Sequence, residues 1–206
     1  MPGGCGTRLL ATLFAASVIL AGCGGDPEPA RSDLAAAWFQ PCPGPAEPGA
    51  RSRAGQGAPP KAGSGSPMPS EPLPCLEGGD RVDLATPSGV PTVVTVWASW
   101  CAPCRQELPA FQRYAEAANG QLRVLGVVSG DTRQAATALA RELGVRFPTL
   151  YDRSGRLMKR LGRTALPVTL FIAPDGGLAH LYNGTPLTGA ALSTLTERQL
   201  GVVIAA

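Results

Sequence analysis

Two cysteines stand three positions apart in Trp100-Cys101-Ala102-Pro103-Cys104, between a β-branched apolar run and a stretch with helical spacing. A cysteine at a helix N-terminus meets unpaired backbone N–H groups and the positive end of the helix dipole, and both favour its thiolate. Cys101 is therefore read as a nucleophile. Cys104, one turn into the helix, can reach the first sulfur and release a mixed disulfide, which makes it the resolving thiol. Other uses of this spacing fit less well. Haem attachment needs a histidine directly after the second cysteine, where Arg105 stands, and a structural zinc site wants four ligands, while His180 is the single histidine and no second close cysteine pair exists. A purely structural disulfide across so short a loop would stabilise little and would leave Trp97-Ala98-Ser99-Trp100 unexplained.

The other four of the six cysteines divide by position. Arg8 and the apolar run Leu9 to Leu20 read as a secretory leader, because a membrane-spanning helix needs about 20 apolar residues and this run is shorter. Cys5 leaves with that leader. Leu20-Ala21-Gly22-Cys23 resembles the bacterial lipobox, which implies a lipoprotein signal peptide over residues 1–22 and lipidation at Cys23; the alternative is an ordinary secretory signal with an incidental cysteine. On that resemblance residues 23–72 would form a lipid-anchored N-terminal segment. Within it, Asp33 to Phe39 reads as a short helix with Trp38 and Phe39 free to pack on the domain. Gly44 to Pro72 is rich in Pro, Gly, Ser and Ala and reads as a tether, spanning on the order of 30 Å as a flexible coil.

The elements that must position the dithiol lie in residues 73–206. At 44% apolar content the chain can bury one core, and the scarcity of large apolar residues in the N-terminal third puts that core here. Arg81 to Leu84 alternates and predicts an edge strand or hairpin arm, and Pro91 to Ala98 predicts a central buried strand running into the cysteines. Beyond them Cys104, Leu108, Phe111 and Ala115 share one helical face that stops at Asn119-Gly120. Leu122 to Val128 predicts a strand, Asp131 or Thr132 caps a helix closed by Gly144, Phe147 to Tyr151 predicts another strand, and Ser154 to Leu161 a short helix. Val168 to Ala173 and Leu178 to Tyr182 predict a hairpin turning at Asp175-Gly176. A last helix runs from about Thr188 to Leu200. The layout is α/β, with a mixed sheet parallel in its middle and antiparallel at one edge.

Val96-Trp97-Ala98-Ser99-Trp100-Cys101-Ala102-Pro103-Cys104, followed by Pro109, resembles the thioredoxin active-site segment and, more narrowly, the TlpA/ResA family of membrane-anchored thioredoxin-like proteins. The likeness runs from about Leu73 to the end. It implies a thioredoxin fold, with a helix and strand inserted between the cysteines and Leu166-Pro167-Val168-Thr169-Leu170-Phe171-Ile172, which resembles the family's cis-proline strand. Pro167 would be cis beside the dithiol; because it has no N–H, the backbone of Leu166 would pair with an extended substrate segment, and Trp100 and Pro103 would complete the substrate-facing surface. The alternatives are an ordinary trans proline for Pro167 and a core aromatic for Trp100. Thr95 stands where plain thioredoxin carries a buried acid, so Glu107 becomes the candidate for proton traffic at the dithiol; its alternative is a solvated surface acid.

Cys42 and Cys75, each beside proline, are expected to pair in an oxidising compartment and clamp the N-terminal segment to the domain, with a second redox pair as the rival. His180 is expected to pack or face solvent. The resemblance implies an extracytoplasmic thiol–disulfide oxidoreductase of the bacterial cell envelope, needing no cofactor and acting on protein thiols and disulfides. Ala102-Pro103 resembles the reducing end of this group, so a reductase is favoured, for apocytochrome or other exported thiols, recharged by a membrane electron donor of the DsbD/CcdA type. The rivals are a disulfide-forming oxidase, a peroxiredoxin-like peroxidase, which would place its nucleophile in Thr-x-x-Cys, and a copper- or thiol-binding module, for which neither His180 nor Met158 is obviously placed. A net charge of +3 without a basic block gives no reason to expect nucleic acid.

Overall fold

The computed structural model describes residues 37–44 and 65–204. The central sheet has five strands in the order β5-β4-β3-β6-β7, namely β3 (Thr92–Trp97), β4 (Arg123–Ser129), β5 (Thr149–Asp152), β6 (Val168–Ile172) and β7 (Leu178–Tyr182). β3 is buried along its whole length, which is why its sequence is apolar nearly throughout instead of alternating. Val93 and Trp97 point into one core layer and Val94 and Val96 into the other. The first layer is closed by α1 (Ala102–Ala118), α2 (Arg133–Leu143) and α4 (Gly189–Leu200). The second is closed by α3 (Arg156–Arg160) and a small ribbon in which β1 (Leu73–Pro74) pairs antiparallel with β2 (Arg81–Val82).

Local chemistry sets the helix ends. Thr132 and Thr188 accept from the N–H groups of Ala135 and Ala191 at the starts of α2 and α4. Asn119, at φ 42°, ends α1 in the left-handed region that asparagine tolerates better than most residues.

Four expectations need correction. Ala37–Phe39 is not helical, because the carboxylate of Glu77 takes the N–H groups of Trp38 and Phe39 and so removes them from any helical ladder; residues 33–36 lie outside the described residues. α3 starts at Arg156 instead of Ser154, since Gly155 has φ +64° and Asp152 accepts from the N–H groups of Arg156 and Leu157. The sheet is parallel across β5, β4 and β3, and its antiparallel part begins at the central strand, because β6 enters beside β3. Residues 65–72, read as tether, pack on the domain: Ser66 bridges Leu178, Met68 is buried, and buried Glu71 takes ion pairs from Arg156 and Arg160 at 2.6 and 2.9 Å. Trp38 and Phe39 do pack on the domain, the Trp38 indole donating to Val145 O at 2.6 Å beneath the Arg146 guanidinium.

Candidate active site

The parallel strands β3 and β4 end together, and the loops beyond their C-terminal ends build the site. Cys101 is the N-cap of α1, its Sγ accepting from the N–H of Cys104 at 3.2 Å. That N–H is one of the unpaired donors of the first helical turn, so the sulfur lies where positive backbone charge concentrates. Cys101 and Cys104 are joined as a disulfide, with Cα atoms 5.3 Å apart. Cys101 keeps 4% of its surface exposed and Cys104 none, so an incoming sulfur can reach only the first. Pro103 is exposed at the start of the same helix.

Glu107, one turn beyond Cys104, is 1% exposed and not a solvated surface acid. Thr95 on β3 donates its hydroxyl to Oε1 at 3.1 Å, and the N–H of Leu187 donates to Oε2 at 3.1 Å. Both bonds favour the carboxylate, yet loss of hydration outweighs them and pushes the pKa up to about 7. A carboxyl poised near neutrality can take or give a proton beside a dithiol that opens and closes. Thr95, on the central strand, thus supplies the one side-chain hydrogen bond to this acid among the described residues.

Trp100 is 65% exposed and not a core aromatic. Its indole donates to Gly130 O at 3.2 Å, and the N–H of Ser99 donates to Asp131 Oδ2 at 2.6 Å, so the loop after β4 holds the loop that carries Cys101. By its spacing Asp131 is only a candidate helix cap; its contact with Ser99 spans 32 positions and leaves no local pattern in the sequence. The Leu166–Pro167 peptide is cis. β3 and β6 pair Val96 with Val168, and continuing that register by one residue sets Pro167 opposite Trp97, at the cysteine-bearing end of β3. Pro167 is buried and Leu166 half-buried.

Cys42 and Cys75 are joined as a disulfide with Cα atoms 6.2 Å apart. Cys75 bridges Leu150 on the edge strand β5 and packs in the core layer opposite to that of Cys101. The Arg133 guanidinium donates to the carbonyls of Cys75 and Leu76 and covers the Tyr151 ring at 4.2 Å. His180 packs its ring against Phe171 at 5.8 Å between centroids, and Met158 is buried in the layer away from Cys101. Among the described residues no three His, Cys, Asp or Glu side chains gather in a set able to hold a metal ion, and no helix is long and apolar enough to cross a membrane. Cys23 lies outside the described residues.

Residues 64–181 match the model of the AhpC/TSA family. Among curated proteins the chain is similar to thiol-disulfide oxidoreductase ResA of Bacillus subtilis, 26% identical over 108 residues that cover 52% of this chain and 60% of that protein. It is also similar to thiol:disulfide interchange protein DsbE of Pseudomonas fluorescens, 31% identical over 121 residues covering 58% of this chain and 66% of the other. The chain thus spans less than two thirds of either relative. A secreted disulfide oxidoreductase of Mycobacterium tuberculosis superposes with a TM-score of 0.54 at 23% identity, over 61% of this chain and 92% of that one. The α/β thioredoxin fold expected from the sequence is the fold observed.

Proposed function

The chain belongs to the AhpC/TSA family, and from that premise we propose that it is a lipid-anchored, extracytoplasmic thiol–disulfide oxidoreductase that reduces disulfides in exported proteins. The observation that carries the reading is the bonded pair at the start of α1, with the Cys101 sulfur on the Cys104 N–H and the buried carboxyl of Glu107 one turn further on.

The reduced protein begins with Cys101 as a thiolate. It attacks one sulfur of a substrate disulfide; that S–S bond breaks, a mixed disulfide forms, and one substrate sulfur leaves with the electron pair and takes up a proton. Cys104 gives its proton to the Glu107 carboxylate and attacks the Cys101 sulfur. The mixed disulfide breaks, the second substrate sulfur leaves and is protonated, and the protein holds the Cys101–Cys104 disulfide. Two electrons have passed to the substrate. A membrane dithiol donor of the DsbD/CcdA type returns them by the reverse exchange.

Lipidation at Cys23 would hold the domain at the outer face of the membrane. Reduction as the working direction draws on Ala102-Pro103, which resembles the reducing end of a range running from about −270 to about −120 mV. The test is insulin-disulfide reduction by the full chain, together with the potential of the Cys101/Cys104 pair. Cys101→Ser should abolish reduction, and Cys104→Ser should accumulate a mixed disulfide with substrate. A potential near the oxidising end would reverse the direction, and peroxide consumed faster than insulin is cleaved would replace the reading with a peroxidase.

A further inference from the structure

Asn183 directly follows β7, and its side-chain amide donates to two main-chain carbonyls of the loop before β6, Pro167 O at 2.7 Å and Ala165 O at 3.3 Å. Only the NH2 end of an asparagine can face two carbonyls. The contact lies just past the end of the β6–β7 ladder. The β6–β7 ladder runs from Ile172 opposite Leu178 to Thr169 opposite Tyr182. It cannot continue through Pro167, which has no N–H to give. Asn183 takes over where the main chain stops.

Between the two clamped carbonyls lies Leu166. Among the described residues its N–H and C=O make no hydrogen bond, although the residue is half-buried at the cysteine-bearing end of the sheet. The position of Asn183 is itself fixed. The Tyr182 hydroxyl donates to Thr185 O at 3.1 Å, and a Cβ on Gly184 would fall 2.7 Å from that hydroxyl, so the chain folds tightly over the Tyr182 ring. Four residues on, Leu187 donates to Glu107. One short segment thus touches both the loop before β6 and the buried acid.

We infer that Asn183 is a positioning residue for polypeptide substrate: by holding residues 165–167 it sets the Leu166 main-chain edge, which the thioredoxin resemblance already implies as the contact for an extended segment carrying the target cysteine. The inference rests on the proposed exchange with protein disulfides. A docking edge made of main-chain donors and acceptors serves a polypeptide and is of little use to a small disulfide, so the residue should act on the selectivity between the two.

The experiment compares the reduced full chain and its Asn183→Ala, Asn183→Asp and Asn183→Gln variants on insulin and on the small disulfide DTNB. Asn183→Asp keeps the shape but turns an acceptor toward the two carbonyls. The expected result is a roughly tenfold rise in KM for insulin in the Ala variant and a larger one in the Asp variant, so that the insulin-to-DTNB ratio of kcat/KM falls in both, with partial recovery in the Gln variant, which still donates. An unchanged ratio in the Ala and Asp variants overturns the inference, whether both rates hold or both fall together. A wild-type chain that reacts with DTNB but never with insulin overturns the proposed function and this inference with it.

Discussion

The Thr95 hydroxyl on β3 donates to Glu107 Oε1 on α1 at 3.1 Å, inside the core layer that also contains Cys101 and Cys104. The pair makes a titratable carboxyl out of a buried position by offering it one side-chain donor and no countercharge. A carboxyl with a pKa raised to about 7 is split between its two forms at neutral pH. In the proposed exchange Glu107 accepts the Cys104 proton as the mixed disulfide resolves, so Glu107→Gln should slow that step by about a hundredfold, the low end of general base effects. Stopped-flow release of a mixed disulfide, followed from pH 5 to 9, should rise through an inflection near 7 in the wild type and lose it in the variant.

The same group predicts a pH dependence of stability with an unusual sign for an acid. Its pKa rises on folding from an ordinary 4.5 to about 7, so between those values the folded state binds more protons than the unfolded one. Stability contributed by this site is then lost as pH rises through that window. Relative to Glu107→Gln, wild type should lose on the order of 3 kcal/mol between pH 4 and 8, an upper limit set by the size of the shift. Urea denaturation of both proteins at several pH values checks it; equal pH dependence in the two would mean that the carboxyl is not the source.

The dithiol motif and the strands around it were legible because their signals are local: a β-branched run, a short cysteine spacing, and apolar residues at helical intervals. Glu107 was visible as a candidate through its spacing from Cys104, but its burial depends on Thr95 and Leu187, which reach it from other elements. Asp131 and Asn183 were not legible as parts of the site, since what each does is hold the backbone of a distant loop. The segment at residues 65–72 misled for a related reason. Its Pro, Gly and Ser content signals a linker, while a single buried methionine and Glu71 with its two arginine partners are enough to fasten it.

The Cys42–Cys75 disulfide closes a loop over a separation of 33 residues. Loop-closure entropy gives such a cross-link about 3 to 4 kcal/mol. The Cys42→Ser, Cys75→Ser double variant should lose stability of that order in urea, softened by the contacts that remain at Trp38, Phe39 and Glu77. Because Cys75 packs in the layer opposite to that of Cys101, insulin reduction by the folded variant should persist. A variant that stays stable yet loses turnover would instead make this pair a second redox relay.

Asp131 tests whether the loop before Cys101 must be held from outside. Its Oδ2 takes the Ser99 N–H at 2.6 Å, its Oδ1 takes the Thr132 N–H at 2.7 Å, and its own carbonyl accepts from the Tyr151 hydroxyl at 3.1 Å. Removing the carboxylate leaves the Ser99 N–H without its partner, and hydrogen bonds to charged groups contribute about 1.5 to 3 kcal/mol each. Asp131→Ala should therefore destabilise by about 2 kcal/mol and let Ser99 and Trp100 move, which would shift the Cys101 sulfur relative to the N–H groups of α1. Asp131→Asn retains one acceptor, so it should recover part of both losses. The deciding measurement is the thiol pKa of Cys101 in the reduced protein, followed by thiolate absorbance: it should rise in the Ala variant and rise less in the Asn variant. An unchanged thiol pKa alongside lowered stability would reduce Asp131 to a fold contact with no hold on the reacting sulfur.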